Sequence, residues 1–288
     1  MTQGSSSRVF VRLDRARTGH GNRVVELLTL TGLFELYDLE ANLVSPSIDS
    51  RGFPVATKSL YDLLVGRQSP ALEHEVDSWY LFDPDKDVAD GPVATKRLLL
   101  PNGTLLDGWL ILGVPPKSAV LECGIGEVVC PGIAAEFPQK DSYYLIRHDP
   151  PMAPELNGGD LHLEGTRQDF DTTTGEAIVT MQFTDEGADK FEEITNDEAD
   201  HGRLLFNLSG GTGDPAKTFQ HFAIVLDREI KSWPSIDWEA YPNGVSATNG
   251  AQITGIGAID KAKDLALVLQ TGALPVRFEF LALRETSG

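Results

Sequence analysis

The segment from Phe219 to Pro275 constrains the fold of this chain more than any other stretch. It begins with an apolar run that ends at a turn (219–227) and a short alternating segment (229–234). A Gly-flanked segment (250–255), an apolar spacing typical of a helix (262–269) and a Gly-Ala-Leu-Pro stop (272–275) follow. Short apolar runs bounded by turns are typical of strands, whereas apolar residues three or four apart favour a helix that a glycine then ends. The segment therefore predicts strand, turn, strand, loop, helix and a return strand.

Alternating apolar residues predict further strands, with few helices between them. The predicted strands cover residues 8–14, 33–39, 79–82, 109–112, 120–123, 142–147, 177–183 and 276–280. One helix is expected between Asn22 and Gly32, a short one at Leu60–Val65, and another after Thr184, whose hydroxyl can cap it. The proline-rich residues 45–118 predict an insertion, or an elaborated edge, with its own small sheet. Because strands and helices do not alternate as they do around a parallel sheet, the sequence predicts an α+β fold.

The charge balance argues against one class of partner. The 288 residues include 24 basic and 43 acidic side chains, which gives a net charge of −19. That charge opposes contact with a phosphate backbone, so no nucleic-acid partner is expected. No apolar run reaches the length of a membrane-spanning helix, and the polar start Met1–Arg8 carries no signal-peptide core.

The two cysteines, Cys123 and Cys130, stand seven positions apart. The residues alone leave two states open, free thiols in a reducing compartment or a small closed loop in an oxidising one. No second pair of soft ligands lies nearby in the sequence, so a metal site at the cysteines is not expected.

The loop at residues 211–218 nearly matches a phosphate-binding loop. Ala216 occupies the position where that loop needs glycine, and Asp214 would repel phosphate. The residues after Lys217 predict a strand rather than the helix whose N-terminus would hold the anion. A surface connection is therefore expected there.

Other candidate sites also lack part of their pattern. Asp83, Asp85 and Asp87 have the spacing of a calcium loop, but Val88 stands where that loop needs glycine, and Ala94 where it needs glutamate. A solvated acidic turn is expected instead. The six histidines show no paired metal spacing, and no Gly-x-Ser-x-Gly elbow occurs. From residues alone, the chain is predicted to be a non-enzymatic extracellular or cytosolic domain without cofactor or metal.

A set of motifs follows in fixed order through the last third of the chain. The segments are 175–183, 184–191 with 193–195, 221–227, 230–234, 250–255, and 262–266 through 275. This order resembles SecD, the membrane subunit of the bacterial protein-export machinery, in its first large extracytoplasmic domain. Residues 8–150 resemble it more loosely, in the manner of an actinobacterial SecD. Two positions depart from the family: Arg228 stands where it turns on a glycine, and Ile256–Asp260 replaces its Phe-Thr helix start.

The resemblance implies a ferredoxin-like base, here partial, that carries an inserted mixed α/β head with an antiparallel-rich sheet and a few helices. Residues 8–44 and 274–285 would form the base, and residues 45–273 the head. The transmembrane helices and the first strand–helix half of the base are expected to lie outside this chain. The two connections between head and base are the candidate hinges. They consist of Leu43, Val44 and Ser45, and of Gly272, Ala273 and Leu274. The alternative is that the first is a plain turn and the second a helix stop.

The resemblance also implies a role in late protein translocation. The domain would bind the emerging, unfolded preprotein on the extracytoplasmic face and prevent backsliding while the head swings on the base. In the full-length protein the partners would include SecF and the SecYEG channel, and the membrane would be reached only through segments outside this otherwise soluble chain. That setting implies a Cys123–Cys130 disulfide. The alternatives are a nucleotide-binding enzyme that uses the 211–218 loop and a free-standing extracellular binding module.

Overall fold

The computed structural model describes residues 33–68, 76, 78–100, 103–124, 129–133, 141–248, 250–254 and 259–271. Within these ranges the chain forms thirteen strands and four α-helices, which confirms the α+β class. In the same ranges no helix is both long and apolar enough to cross a membrane. The elements predicted at residues 8–14, 22–32 and 276–280 lie outside the described residues, as do most of the predicted base and the hinge residues Gly272, Ala273 and Leu274.

The largest sheet has seven strands and is mostly antiparallel. Its path runs β6-β5-β11-β10-β1-β7, and β12 pairs with β10 beside this path. The strands are β1 (Phe34–Asp38), β5 (Ser118–Cys123), β6 (Ser142–Arg147), β7 (Leu156–Asn157), β10 (Gln220–Leu226), β11 (Glu229–Ser232) and β12 (Ser235–Ile236). The pair β11–β5 is parallel, at the register Glu229↔Glu122.

The position of β1 bears on the predicted division into base and head. Residues 34–38 fall in the predicted base, yet β1 pairs along its whole length with β10, from Phe34↔Leu226 to Asp38↔Phe222. It also pairs with β7 on its other side, at Glu35↔Asn157. Strand β1 therefore lies inside the sheet that the predicted head builds. The ferredoxin-like base and the boundary at residue 44 stay predictions.

Two smaller sheets have three strands each. One, in the order β13-β9-β8, contains β8 (Leu161–Phe170), β9 (Ala177–Phe183) and β13 (Ala251–Ile253). The other, in the order β3-β2-β4, contains β2 (Trp79–Phe82), β3 (Val88–Val93) and β4 (Leu110–Gly113). The second sheet confirms the small sheet that was expected within residues 45–118.

Three of the four α-helices are short or of moderate length. They are α1 (Leu39–Asn42), α2 (Leu60–Val65) and α4 (Ile259–Thr271). Asp38 caps α1 by accepting a hydrogen bond from Ala41 N, and Ser59 caps α2 by accepting one from Asp62 N. The sequence predicted α2 at the same bounds.

The long helix α3 (Asp185–Leu208) packs against the large sheet, and it confirms the helix expected after Thr184. Thr184 caps it as predicted, since its Oγ1 accepts a hydrogen bond from Gly187 N at 3.0 Å. Residues 204–206, which precede the 211–218 loop, belong to the last turns of this helix. The second half of this helix lacks a continuous apolar spacing, because its buried face carries Thr195, Glu198 and Gly202.

The buried apolar side chains form three clusters, one on each side of the large sheet and one under the small β2–β4 sheet. The largest joins one face of β1 and β10 to β9, α3 and α4, through residues such as Leu36, Met181, Phe191 and Ile224. The opposite sheet face packs Tyr37, Tyr144 and Val225 around the two cysteines. This alternation of faces along β1 and β10 is what a strand period of two requires.

Candidate functional site

An apolar groove lies between the three-stranded β8-β9-β13 sheet and the segment 234–245. It has a volume of about 480 Å³. Its apolar lining comes from separate elements of the chain, and includes Met181, Phe191, Phe222, Ile236, Tyr241 and Val245. The floor is buried, whereas Tyr241 is 50% exposed and presents an aromatic ring at the mouth. Concave, mostly apolar surfaces with a few polar groups are typical binding sites.

Each of the two short strands beside the groove has one edge without a paired strand among the described residues. Within the described residues β13 hydrogen-bonds only to β9, and β12 only to β10. An unpaired strand edge offers backbone N–H and C=O groups to another extended chain. The groove therefore combines apolar contact with positions where an added strand can pair.

One wall of the groove is fixed to the long helix by a close backbone approach. Val245 N donates a hydrogen bond to Thr195 Oγ1 at 2.8 Å. Gly244 has φ +79°, and a Cβ added there would lie 2.7 Å from Glu192 O and from Asn196 N. Only glycine fits both this left-handed backbone and this contact. The segment 241–245 is thereby held against α3.

A polar cluster around Arg228 lines a second cavity, of about 490 Å³. Arg228 Nη1 lies 3.0 Å from Glu35 Oε2 and donates to the Tyr37 hydroxyl at 2.9 Å. Its Nη2 lies 3.2 Å from His148 Nε2. Burial and then the Arg228 charge lower the pKa of His148 to about 4, so this ring is neutral near pH 7.

Glu35 has a raised pKa even though Arg228 is its neighbour. Burial raises the pKa of this carboxyl, and this effect outweighs the lowering by Arg228. Only 3% of the Glu35 side chain is exposed, which explains why desolvation dominates. The Arg228 guanidinium is thus engaged with the buried Glu35 carboxyl group and the Tyr37 hydroxyl.

The first candidate hinge is hydrogen-bonded to neighbouring elements. Leu43 N donates to Leu39 O at 2.9 Å, and Val44 N donates to Leu145 O at 3.0 Å. The carbonyl oxygen of Ser45 accepts a hydrogen bond from Arg67 Nη2. The Leu43 side chain is also buried, with 5% of its surface exposed. A hinge motion at these residues would have to break the Val44–Leu145 bond.

Cys123 and Cys130 form a disulfide in the structure, with their Cα atoms 5.9 Å apart. Both side chains are fully buried among Leu121, Tyr144 and Ile230. The bond joins the end of β5 to the segment that follows it. That the disulfide also forms in solution stays a prediction, which an intact-mass measurement with and without reductant tests.

The near phosphate loop and the acidic turn have ordinary structural roles. Asp214 Oδ1 accepts from Ala216 N at 3.1 Å and caps a 3₁₀ turn, Pro215–Thr218, that leads directly into β10. Asp83 Oδ1 accepts from Asp85 N and Asp87 N, and so closes the turn between β2 and β3. In the part of the chain that the structure describes, no group of three or more His, Cys, Asp or Glu side chains could hold a metal ion.

Sequence reasoning missed the groove because its parts are far apart along the chain. Phe191, Phe222 and Met181 were each predicted inside a helix or strand, but no local pattern indicates that they meet. The available signal was a cluster of aromatic residues, Trp233, Trp238 and Tyr241, in a short segment without a clear helix or strand pattern.

Several known proteins are similar to this chain over part or most of its length. The family model for the SecDF P1 head subdomain matches residues 137–276. SecDF of Bacillus subtilis (strain 168) is 35% identical over 133 residues, which is 42% of this chain and 16% of that protein. SecDF of Thermus thermophilus is 32% identical over 156 residues, 54% of this chain and 17% of that protein. SecD of Streptomyces coelicolor is 35% identical over 127 residues, 42% of this chain and 19% of that protein.

The chain thus spans less than a fifth of the length of these three relatives. Among solved structures, SecDF described as a membrane component that enhances protein export has a TM-score of 0.42 at 18% identity, covering 96% of this chain and 79% of that one. SecDF in a super-membrane-facing form has a TM-score of 0.39 at 20% identity, covering 92% of this chain and 22% of that one. Residues 137–276 of this chain are therefore similar to the P1 head subdomain of SecDF, and its sequence relatives are SecD and SecDF protein translocase subunits.

Proposed function

We propose that this chain is the extracytoplasmic domain of a protein-export accessory subunit, and that it binds the emerging, unfolded preprotein in the apolar groove beside β13. The observation that carries the proposal is the pairing of that groove with open strand edges. An unfolded chain exposes apolar side chains and unpaired backbone groups together, so such a groove can bind both. The family match gives this binding its context in translocation.

The proposed binding mode accounts for low sequence selectivity. Backbone pairing at a strand edge does not depend on side-chain identity, while the apolar floor favours any large apolar residue. The net charge of −19 keeps anionic segments away and favours neutral or basic ones. We therefore expect weak, reversible binding of many different apolar segments.

The wider mechanism is proposed as well. Translocation would be assisted by movement of the head on a ferredoxin-like base, with hinges at Leu43–Ser45 and Gly272–Leu274. SecF, the SecYEG channel and the preprotein are the proposed partners of the full-length protein. The base is the proposed attachment to membrane segments outside this chain, and no catalytic step is proposed.

A binding titration tests the groove. A fluorescently labelled, permanently unfolded polypeptide is titrated with the wild-type chain and with Tyr241→Glu. Tyr241 is half-exposed at the mouth, so the charge should weaken binding at least tenfold with little effect on folding. Phe53→Glu is the matched control, because Phe53 is also an exposed aromatic residue, at 43%, and lies outside the groove. Equal loss with both variants, or with neither, would remove the groove from the proposal.

A further inference from the structure

The cavity beside Arg228 is lined from two sheets that are far apart along the chain. Ala119 and Val120 of β5 line it from the large sheet, and Tyr80 and Pro92 line it from the small β2–β4 sheet. Its volume of about 490 Å³ is within the range of sites for small organic ligands. These four residues give the walls an apolar part beside the polar Arg228 cluster.

A chain of hydrogen bonds runs from Arg228 through Tyr37 to His148. Arg228 Nη1 donates to the Tyr37 hydroxyl at 2.9 Å, so this oxygen acts as an acceptor. The hydroxyl has one proton of its own to donate, and His148 Nδ1 lies 3.0 Å from it. Glu35 Oε2 lies beside the same guanidinium but has no hydrogen-bond partner among the described residues. The Tyr37 proton is therefore donated to His148 Nδ1.

This arrangement fixes the tautomer of His148. A neutral imidazole has one N–H donor and one acceptor nitrogen. Because burial and the Arg228 charge lower the pKa of His148 to about 4, the ring is neutral near pH 7. With Nδ1 accepting from Tyr37, the ring proton is on Nε2, which becomes a donor.

Two donors then lie side by side at the cavity. His148 Nε2 and Arg228 Nη2 are 3.2 Å apart, and two N–H groups cannot hydrogen-bond to each other. Among the described residues, no hydrogen bond gives either nitrogen an oxygen acceptor, although both residues line the cavity. Both side chains are mostly buried, with 19% of His148 and 28% of Arg228 exposed. A parallel pair of N–H donors matches the two oxygens of one carboxylate, as in bidentate arginine contacts.

The charges around the cavity favour a ligand with one negative charge over a ligand with two. Arg228 is paired with Glu35, and burial raises the pKa of that carboxyl. Lys117 Nζ pairs with Asp149 Oδ2 at 2.9 Å, and both residues line the cavity. A phosphate or sulfate would bring two charges close to Glu35 and Asp149, whereas a carboxylate brings one.

We propose that this cavity binds a small monocarboxylate with an apolar body, whose two oxygens accept hydrogen bonds from His148 Nε2 and Arg228 Nη2. Two sources share this chemistry, a free organic acid and the C-terminal carboxylate of a peptide. Glu35 and Tyr37 hold the guanidinium in place before the ligand arrives, which lowers the ordering cost of binding. The site is independent of the polypeptide groove, since no residue lines both cavities.

A titration of the full chain near pH 7 tests the site and distinguishes the two sources. The probes are phenylpropionate, a free acid, N-acetylphenylalanine, which has the carboxylate of a peptide C-terminus, and the uncharged N-acetylphenylalanine amide. Nitrogen-15 NMR should show saturable shifts of His148 Nε2 and Arg228 Nη2 with at least one carboxylate, and the carboxylate that binds identifies the source. No saturable shift with either carboxylate, or equal shifts with the amide, overturns the proposal.

Substitutions at position 148 measure what the Nε2 donor contributes. His148→Leu removes the donor and should weaken binding of the carboxylate about tenfold or more, because the lost hydrogen bond is to a charged group. His148→Gln keeps an N–H donor and should recover most of the affinity. His162→Leu is the matched control, because His162 is exposed on β8 and does not line the cavity. Equal affinity for His148→Leu and His162→Leu contradicts the proposed contact.

The tautomer of His148 tests the proposal without any substitution. Nitrogen-15 NMR of the wild-type ring distinguishes a proton on Nε2 from a proton on Nδ1. The hydrogen-bond chain predicts the Nε2 form. In the Nδ1 form, Nε2 would accept a hydrogen bond from Arg228 Nη2 and the pair of donors would not exist, so that result overturns the proposal.

Discussion

Arg228 Nη1 lies 3.0 Å from Glu35 Oε2, so the turn after β10 is tied to the buried strand β1. The turn residues Asp227 and Arg228 have φ +53° and +70°, a left-handed pair that closes a tight hairpin. Glycine adopts that backbone more easily, and it is the residue that the SecD resemblance led us to expect. Here the backbone strain at Arg228 is offset by a charge partner for Glu35.

We predict that Arg228→Gly destabilises the chain although it relaxes the turn. The substitution leaves the carboxylate of Glu35 buried and unpaired, and breaking such a pair costs about 3 kcal/mol or more. Urea unfolding near neutral pH should show this as a lower midpoint with an unchanged slope.

A second variant distinguishes the charge effect from lost packing. Glu35→Gln combined with Arg228→Gly removes both charges and should recover at least about half of the loss, because no carboxylate is then left unpaired. If the double variant is as unstable as Arg228→Gly alone, the ion pair is not what stabilises this turn.

The disulfide is predicted to form in the native chain and to add stability. Closing a loop of this length should contribute about 2.5 kcal/mol in the chain-entropy model. Intact mass with and without reductant should show two alkylatable thiols only after reduction. Cys123→Ala with Cys130→Ala should lower the unfolding free energy, and reductant should then have no further effect. Two thiols that react without reductant would contradict the prediction.

Gly244→Ala should loosen the wall of the groove. A Cβ at this position meets Glu192 O and Asn196 N at 2.7 Å, and the residue has φ +79°. Left-handed backbone costs an alanine about 1–2 kcal/mol, and the close contact should add at least about 1 kcal/mol more.

Gly52→Ala is the control for that substitution. Gly52 has φ +85°, but an added Cβ would meet nothing within 4 Å. It should show only the backbone cost, in thermal or urea unfolding. Equal losses for the two variants would mean that the approach of segment 241–245 to α3 is not tight.

Local patterns in the sequence predicted the strands β6 and β9 and the helix α2 at their observed bounds. They also identified Thr184 as a cap, because capping depends on residues within one turn. They did not predict β8, whose residues after Leu163 are mostly polar and exposed. They gave no C-terminal bound for α3, because Glu198 and Gly202 interrupt the apolar spacing of its buried face.

Relationships between distant segments were not available from the sequence. The pairing of β1 with β10, the Arg228–Glu35 pair and the Glu40–His221 contact each join residues far apart in the chain. The groove arises from the same long-range packing. Residue patterns indicate elements, whereas these sites depend on how the elements meet.

Site-specific photo-crosslinking tests the central claim most directly. A photoreactive phenylalanine analogue replaces Tyr241 in one variant and Phe53 in another, and each is illuminated with a labelled, unfolded polypeptide that carries apolar segments. The account predicts a covalent product with the analogue at position 241, mapped to an apolar segment, and at most a trace with the analogue at position 53. Equal crosslinking at both positions, or none at position 241, would contradict a polypeptide-binding groove.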